Sequence, residues 1–235
     1  MSRMVQPSSL GLRRIELLEG LSPEKLEVLA RQCAWRNYEA GRSVISRNAP
    51  DRDVYLLVSG RVRITTYSEG GRQITFRDIG AGEIFGEVAA LDEMPRSADV
   101  VVLDAVLVAS MPPAVFRELL IAEPQVGVRV LKRLASLVRR LSARVIDLST
   151  LAVQNRIHAE VLRLACEAGV TRNAARIHPA PKHADIASQV STYREQVTRE
   201  LSALAKAGIL GREGGALVVR DVRRLEKLVE EVRAG

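Results

Sequence analysis

The sequence predicts an α+β chain in three parts: a jelly-roll-like β-roll, a long helix, and a C-terminal winged helix-turn-helix. Three observations carry this. Hydropathy alternates with a period of two from about residue 44 to residue 109, an apolar stripe at steps of three and four follows as far as residue 148, and short helical patterns then lead to a Gly-Gly hairpin. At 235 residues the chain is long enough for two modest domains, each burying its own core.

The first element opens at Ser22-Pro23-Glu24, with Ser as N-cap, Pro at the first helical position, and Leu26, Leu29 and Ala30 as the apolar face. β-rich runs at 54–58, 61–65, 73–77, 100–103 and 106–109 are separated by Gly60, Gly70-Gly71, Gly80-Ala81-Gly82 and Asp104. Short strands with closely spaced turns suggest a compact antiparallel barrel or roll. Pro112-Pro113 ends them, and a helical pattern runs over 114–148 with an interruption near Pro124. Within it Val130, Leu134, Leu137, Leu141, Val145 and Leu148 form a narrow stripe flanked by arginines. The stripe is longer than one small roll can cover, so it is expected to be a two-chain seam.

Domain limits follow at 1–150 and 151–235. Helical patterns at 152–166, 184–190 and 193–207 precede Ile209-Leu210, Gly214-Gly215 and Leu217-Val218-Val219, the content of a winged helix-turn-helix. No Gly/Ser-rich or Pro-rich stretch intervenes near 150, so a hinge is expected there rather than a disordered linker.

A net charge of +7 favours an anionic partner without identifying it. No uncharged run approaches the ~18–20 residues that span a bilayer, and the N-terminus lacks the apolar core of a signal peptide. A cytoplasmic protein with no membrane partner is expected. Cys33 and Cys166 stand far apart, and His158, His178 and His183 have no partner at metal-ligand spacing, so neither a disulfide framework nor a metal site is expected. With no nucleophile elbow, metal-binding His pair or Walker loop, an enzyme is the least expected class, and no catalytic residue or cofactor is assigned.

The most informative stretch is Gly82-Glu83-Ile84-Phe85-Gly86-Glu87-Val88-Ala89-Ala90-Leu91, closed by Pro95-Arg96-Ser97-Ala98. Gly86 lets the chain bend against a ligand, and a helical turn from Glu87 would aim the N–H groups of Val88 and Ala89 at an anion. Arg96 supplies a guanidinium fork for phosphate oxygens and Ser97 a hydroxyl. Glu87 repels a phosphate but suits a ribose hydroxyl, as acids do in dinucleotide folds. A sugar phosphate satisfies all of these. The nine-residue spacing of Glu87 and Arg96 also fits a surface ion pair flanking a turn. Gly80-Ala81-Gly82-Glu83-Ile84-Phe85-Gly86 is one residue too long for a dinucleotide fingerprint and lies among strands, which rejects it.

In the C-terminal part, Ile186 and Val190 can face Val197, Leu201 and Leu204 across a tight turn, with small Ala187 allowing close approach. Thr192-Tyr193-Arg194-Glu195 reads as a capping box that starts the second helix at Tyr193. Arg194, Glu195 and Arg199 then lie outside the apolar stripe, where Arg can bind guanine O6/N7 and Glu cytosine N4 in the major groove. With Thr192, Tyr193 and Thr198 they make the candidate DNA-contacting set. A solvated helix face, with Glu195 serving only the cap, competes with this reading.

The stretch from Gly82 to Leu91, with Pro95-Arg96-Ser97-Ala98, resembles the phosphate-binding cassette of cyclic-nucleotide-binding domains, and the segment from Asp53 to Val62 resembles their glycine-turn hairpin. The resemblance implies that Glu87 holds the ribose 2′-hydroxyl, that Arg96 and Ser97 hold the cyclic phosphate, and that the backbone of Gly86 to Ala89 completes the cradle. Asn48 stands where the family usually has a turn glycine, a mild departure because Asn tolerates φ > 0. Sensor, long helix and winged reader in this order resemble the cyclic-AMP receptor protein (CRP/FNR) family of bacterial transcription regulators. Arg194-Glu195-Gln196-Val197-Thr198-Arg199 is similar to that family's recognition helix, which implies TGTGA-like half-sites in an inverted repeat.

The resemblance implies a homodimeric regulator with double-stranded DNA and a cyclic nucleotide as partners, RNA polymerase being a further candidate with no residue assigned. In the cyclic-AMP-sensing branch a Thr-Ser pair on the long helix contacts adenine; here the matching positions are Leu141-Ser142, of which only Ser142 can hydrogen-bond a base. Ser97 could also meet the 2-amino group of a syn guanine, so cyclic GMP stays beside cyclic AMP as a candidate effector. The N-terminal cysteine cluster of the oxygen-sensing branch is absent, and its iron–sulfur chemistry is not implied. Two alternatives remain open: a regulator with a degenerate pocket that is nucleotide-independent or answers another effector, and a non-DNA signalling subunit like the kinase regulatory subunits, against which the 192–200 helix speaks.

Overall fold

The computed structural model describes residues 6–233. Its contacts divide into two compact units, the first running through Leu137 and the second starting at Val138.

In the first unit, α1 (Ser9–Leu12) and α2 (Pro23–Gln32) precede the strands. Ser22 caps α2 as its sequence requires, its Oγ accepting the Lys25 N–H at 3.4 Å with Pro23 in the first turn. The roll is antiparallel and built from β1 (Ala34–Tyr38), β2 (Ser43–Ile45), β3 (Val54–Tyr67), β4 (Gln73–Gly80), β5 (Ile84–Phe85) and β6 (Asp99–Met111). The strand order is β1-β6-β3-β4, with β2 on β6 and β5 on β3.

Two pairs of expected strands are single strands. The runs at 54–58 and 61–65 are both β3, and those at 100–103 and 106–109 are both β6. Gly60, at φ +79°, kinks β3 instead of ending it, and the register against β6 slips around Ser59 and Arg61. A Cβ on Gly60 would stand 2.3 Å from the Ala105 carbonyl oxygen, so the kink lets the two long strands pass closely. β1 also begins ahead of the expected strand region; its Trp35 is buried and donates Nε1–H to the Ala30 carbonyl at 2.9 Å.

Two cores flank the sheet. Trp35, Leu56, Phe116 and Val126 belong to the one beneath the helices, and Tyr55, Leu57, Val62, Ile79 and Phe85 fill the roll. After β5 come α3 (Glu87–Asp92), α4 (Pro113–Ala122) and α5 (Pro124–Thr150), the last 27 residues long.

The seam expected on α5 needs correction. Val130 is only 2 % exposed and belongs to its own unit's core, and Leu134 packs partly against the same core. A straight helix drifts about 20° per heptad against a strict seven-residue repeat, so the face that starts on the core turns outward along the chain. The exposed stripe is Leu131, Val138, Leu141, Val145 and Leu148, with half-buried Leu134 between the first two. Leu137 is half-buried and gives way to Val138.

The second unit comprises the rest of α5, then α6 (Val153–Ala168), β7 (Val170–Thr171), β8 (Ala174–Ile177), α7 (His183–Gln189), α8 (Arg194–Lys206), β9 (Leu210–Glu213), β10 (Ala216–Val219) and α9 (Val222–Arg233). The unit boundary therefore lies inside α5, whereas the sequence places it at 150/151, where α5 ends. The C-terminal half of α5 is tied to the reader: Arg144 donates to the Ser191 hydroxyl at 3.2 Å. The wing is a four-stranded sheet in the order β7-β8-β10-β9 rather than a lone hairpin. Ile157, Val161, Ile186, Val197, Leu201, Leu204 and Leu217 form this unit's core.

Candidate functional site

Gly86 precedes α3 in the left-handed region, φ +85° and ψ 3°. A Cβ there would lie 2.7 Å from Arg96 Nη1 and 2.9 Å from the Asp53 carbonyl oxygen, so the position requires glycine on both conformational and steric grounds. The turn sets Glu87 at the first position of α3 and lets the Arg96 guanidinium pass beneath it.

Both key side chains are buried, and they do not pair with each other. Arg133 of α5 donates through Nε to Glu87 Oε1 at 3.3 Å and through Nη1 to Glu83 Oε2 at 3.2 Å, while its Nη2 meets the Ile84 carbonyl. Arg77 reaches the same Glu83 oxygen at 3.0 Å. Arg96, 2 % exposed, donates to the carbonyls of Gly86 at 2.9 Å and Asp53 at 2.8 Å. Its Nε and Nη2 both reach Asp51 Oδ2, at 3.2 and 2.6 Å. The surface ion pair that the Glu87–Arg96 spacing also allowed is not formed.

Arg96 Cζ lies 5.7 Å from the centroid of the Tyr55 ring, which stacks on Phe85 at 5.0 Å. Burial, reinforced by the Asp51 charge, pushes the Tyr55 phenol up to about 12. Of the remaining cassette residues Val88 is half-buried, Ala89 buried and Ser97 exposed. Asn48 takes φ +66°, the conformation expected of the glycine it replaces, and its N–H donates to the Arg96 carbonyl at 2.9 Å. A cavity of about 300 Å³ is lined by residues that include Glu16, Gly82, Glu83, Ile84, Arg129 and Arg133, and neither Glu87 nor Arg96 lines it. Ser142 and Leu141 are exposed on the part of α5 that belongs to the second unit.

Asp51 and Arg133 are the partners that sequence reasoning missed. They lie 45 and 46 residues from the groups they hold. Arg133 had one faint signal, as one of the arginines flanking the apolar stripe.

In the second unit α7, a turn and α8 form the reader. Val197, Leu201 and Leu204 are buried against Ile186, Ala187 and Val190, as their spacing requires. The capping box is not formed. α8 starts at Arg194 with Tyr193 as N-cap and no side-chain cap bond, because Thr192 sits one position too early. Thr192 is 6 % exposed and its N–H donates to the Ala187 carbonyl at 2.9 Å, so it builds the turn and leaves the DNA-contacting set. Tyr193, Arg194, Glu195, Thr198 and Arg199 are exposed together along the start of α8.

Thr198 is tied down on that face. Its hydroxyl donates to the Arg194 carbonyl at 3.0 Å and lies 2.7 Å from His183 Nδ1, while His183 Nε2 lies 2.8 Å from Arg212 Nη2 on β9. Among the described residues no group of three or more His, Cys, Asp or Glu side chains is arranged to hold a metal ion, and no helix is long and apolar enough to cross a membrane.

A buried carboxylate and guanidinium around a glycine turn in a β-roll, followed by a helix-turn-helix with a cationic exposed face, define a ligand-sensing DNA-binding regulator. Residues 35–123 match the family model of the cyclic nucleotide-binding domain and residues 128–228 that of the Crp-like helix-turn-helix domain. The chain is 31 % identical over 216 residues to the cyclic AMP receptor protein of Thermus thermophilus, covering 90 % of this chain and 95 % of that one. It is 26 % identical over 217 residues to a CRP-like cAMP-activated global transcriptional regulator of Mycobacterium tuberculosis, covering 92 % and 97 %. A CooA mutant from Carboxydothermus hydrogenoformans shares the fold, with a TM-score of 0.77 at 19 % identity over 97 % of this chain and 98 % of that one. The chain belongs to the CRP/FNR family of transcription regulators, which are DNA-binding proteins and not enzymes.

Proposed function

We propose that this chain is a homodimeric transcription regulator whose effector is cyclic AMP, with cyclic GMP as the competing ligand, and which reads TGTGA-like inverted repeats. The observation that carries the effector reading is the separation of Glu87 and Arg96 into two buried, differently partnered groups on either side of Gly86. Arg96 with Ser97 takes the cyclic phosphate, Glu87 takes the ribose 2′-hydroxyl, and the backbone of Gly86 to Ala89 closes the cradle. The name of the Thermus thermophilus relative supports cyclic AMP. The exposed stripe from Leu131 to Leu148 supports pairing of two α5 helices. Pairing sets two copies of α8 to read half-sites about one DNA turn, ~34 Å, apart. Arg194, Glu195 and Arg199 are the base readers.

One observation favours a second reading, a degenerate pocket: Asp51 already fills the Arg96 fork. Calorimetric titration with cyclic AMP and cyclic GMP, alongside melting curves, decides between them. On the first reading nucleotide raises the melting temperature by mass action. Arg96→Ala then removes most of the effect, since unpairing a buried phosphate charge costs ~2–5 kcal/mol. No shift with either nucleotide at millimolar concentration leaves the degenerate pocket as the answer.

A further inference from the structure

The link between α7, α8 and the wing strand β9 runs through one imidazole. Arg212 has only N–H donors to offer, so the His183 Nε2 that lies 2.8 Å from it must accept. The proton of neutral His183 is then on Nδ1, where it donates to Thr198 Oγ1 at 2.7 Å, and the Thr198 hydroxyl passes its own proton toward the Arg194 carbonyl at 3.0 Å. Donors and acceptors agree along the whole path Arg212, His183, Thr198, Arg194. Only one tautomer satisfies it.

We propose that neutral His183 is a positioning residue for DNA reading, locking the wing strand to the first turns of α8 so that Arg194 and Arg199 are presented in register with the wing. This rests on the DNA-binding reading above. Protonation breaks the lock, because a second N–H then faces the Arg212 donor and a positive charge faces a positive charge. The charged groups that face His183 from neighbouring elements are Arg212 on β9 and Arg194 on α8, both cationic; Lys182 and Asp185 flank it on its own turn.

Partial burial first, then Arg212 and Arg194, hold the His183 pKa below the usual imidazole value. A lowered histidine pKa means that the folded, locked state prefers the neutral ring. The lock is therefore complete above about pH 6.5, the unperturbed imidazole value, and is lost as pH falls through the lowered value of the folded state. A His183 that instead touched a DNA phosphate directly would do the reverse, strengthening binding as it gained charge.

The test is duplex binding by the full-length protein, followed by fluorescence anisotropy on a TGTGA-like inverted repeat with saturating cyclic AMP at fixed salt, from about pH 8 to about pH 5. His183→Gln keeps one donor and one acceptor but cannot titrate, so it shares every other pH effect with wild type. Between the two ends of that range wild type should lose about tenfold in affinity relative to His183→Gln, the worth of a charge-assisted hydrogen bond. Thr198→Val should be weaker at pH 8 and lose the histidine-dependent step. Melting curves at each pH confirm that the variants are folded.

Parallel profiles for folded wild type and His183→Gln would overturn the positioning role. So would wild-type affinity that rises on acidification in a way His183→Gln does not, which assigns His183 to a phosphate contact. Wild type that shows no preference for the operator over random duplex at pH 8 overturns the TGTGA-like operator reading, and the proposal with it.

Discussion

Replacing Asp51 with Asn should tighten cyclic-nucleotide binding while slightly loosening the unliganded protein. One Asp51 oxygen takes two Arg96 bonds, at 2.6 and 3.2 Å, and the carbonyls of Gly86 and Asp53 take two more. A guanidinium has only five N–H donors, so a phosphate arriving at Arg96 must share or replace the carboxylate. Two like charges about 4 Å apart repel by ~1 kcal/mol in water and ~4 kcal/mol at an effective dielectric of 20. The Asp51 side chain is 48 % exposed, which places the repulsion toward the lower figure, at ~1–2 kcal/mol, or about tenfold in Kd. Against this, nearly buried Arg96 loses a charged partner but keeps an amide acceptor, costing ~1 kcal/mol of unliganded stability. Calorimetry of wild type and Asp51→Asn with cyclic AMP, with melting curves without ligand, measures both terms. Unchanged or weaker affinity in a folded Asp51→Asn protein would refute the argument, because it would mean that the acid orients Arg96 instead of competing with the ligand.

Three further outcomes are expected. Val138→Glu, at a position 62 % exposed in the single chain, should place two carboxylates across the two-fold axis and give a folded monomer by light scattering at micromolar concentration; wild type that is itself monomeric contradicts the seam. Arg199→Ala should lose preference at one base pair of the operator, ~1–3 kcal/mol, while a phosphate contact would weaken all sequences alike. Identical ranking of single-base operator variants by both proteins removes Arg199 from the readers. Gly86→Ala should lower the melting temperature more than Gly41→Ala: both glycines have positive φ, +85° and +80°, but only at Gly86 does the new Cβ meet other atoms. The Gly41 variant carries the left-handed strain alone, ~1–2 kcal/mol; equal losses would show that the close approach of Arg96 to Gly86 carries no energetic weight.

What could be read from the sequence and what could not divide along a physical line. The roll, the long helix and the reader were legible because periodicity and turn residues act within a few positions, as Ser22-Pro23 and the apolar set Val197, Leu201 and Leu204 illustrate. Local signals failed where tertiary contact overrode them. Gly60 reads as a turn, yet the neighbouring β6 backbone makes it a kink in a continuous strand. Thr192 reads as a cap, yet the turn after α7 consumes it. Val130 and Leu131 are neighbours in a helical pattern, and which of them faces the core depends on where the helix first lands on it.

The candidate site divides in the same way. Gly86, Glu87 and Arg96 are legible because they lie within one short segment, a glycine turn followed by α3 and the loop that returns Arg96 to the Gly86 carbonyl. Asp51 and Arg133 decide which charge each of the two meets before any ligand arrives, and they come from a loop and a helix whose spacing to the cassette encodes nothing. The motif therefore specifies what chemistry the pocket can recognise, while its distant partners set how strongly a ligand must compete to enter. Relatives with the same cassette can for that reason differ in affinity for one nucleotide through substitutions at positions such as 51 and 133, which no cassette pattern includes.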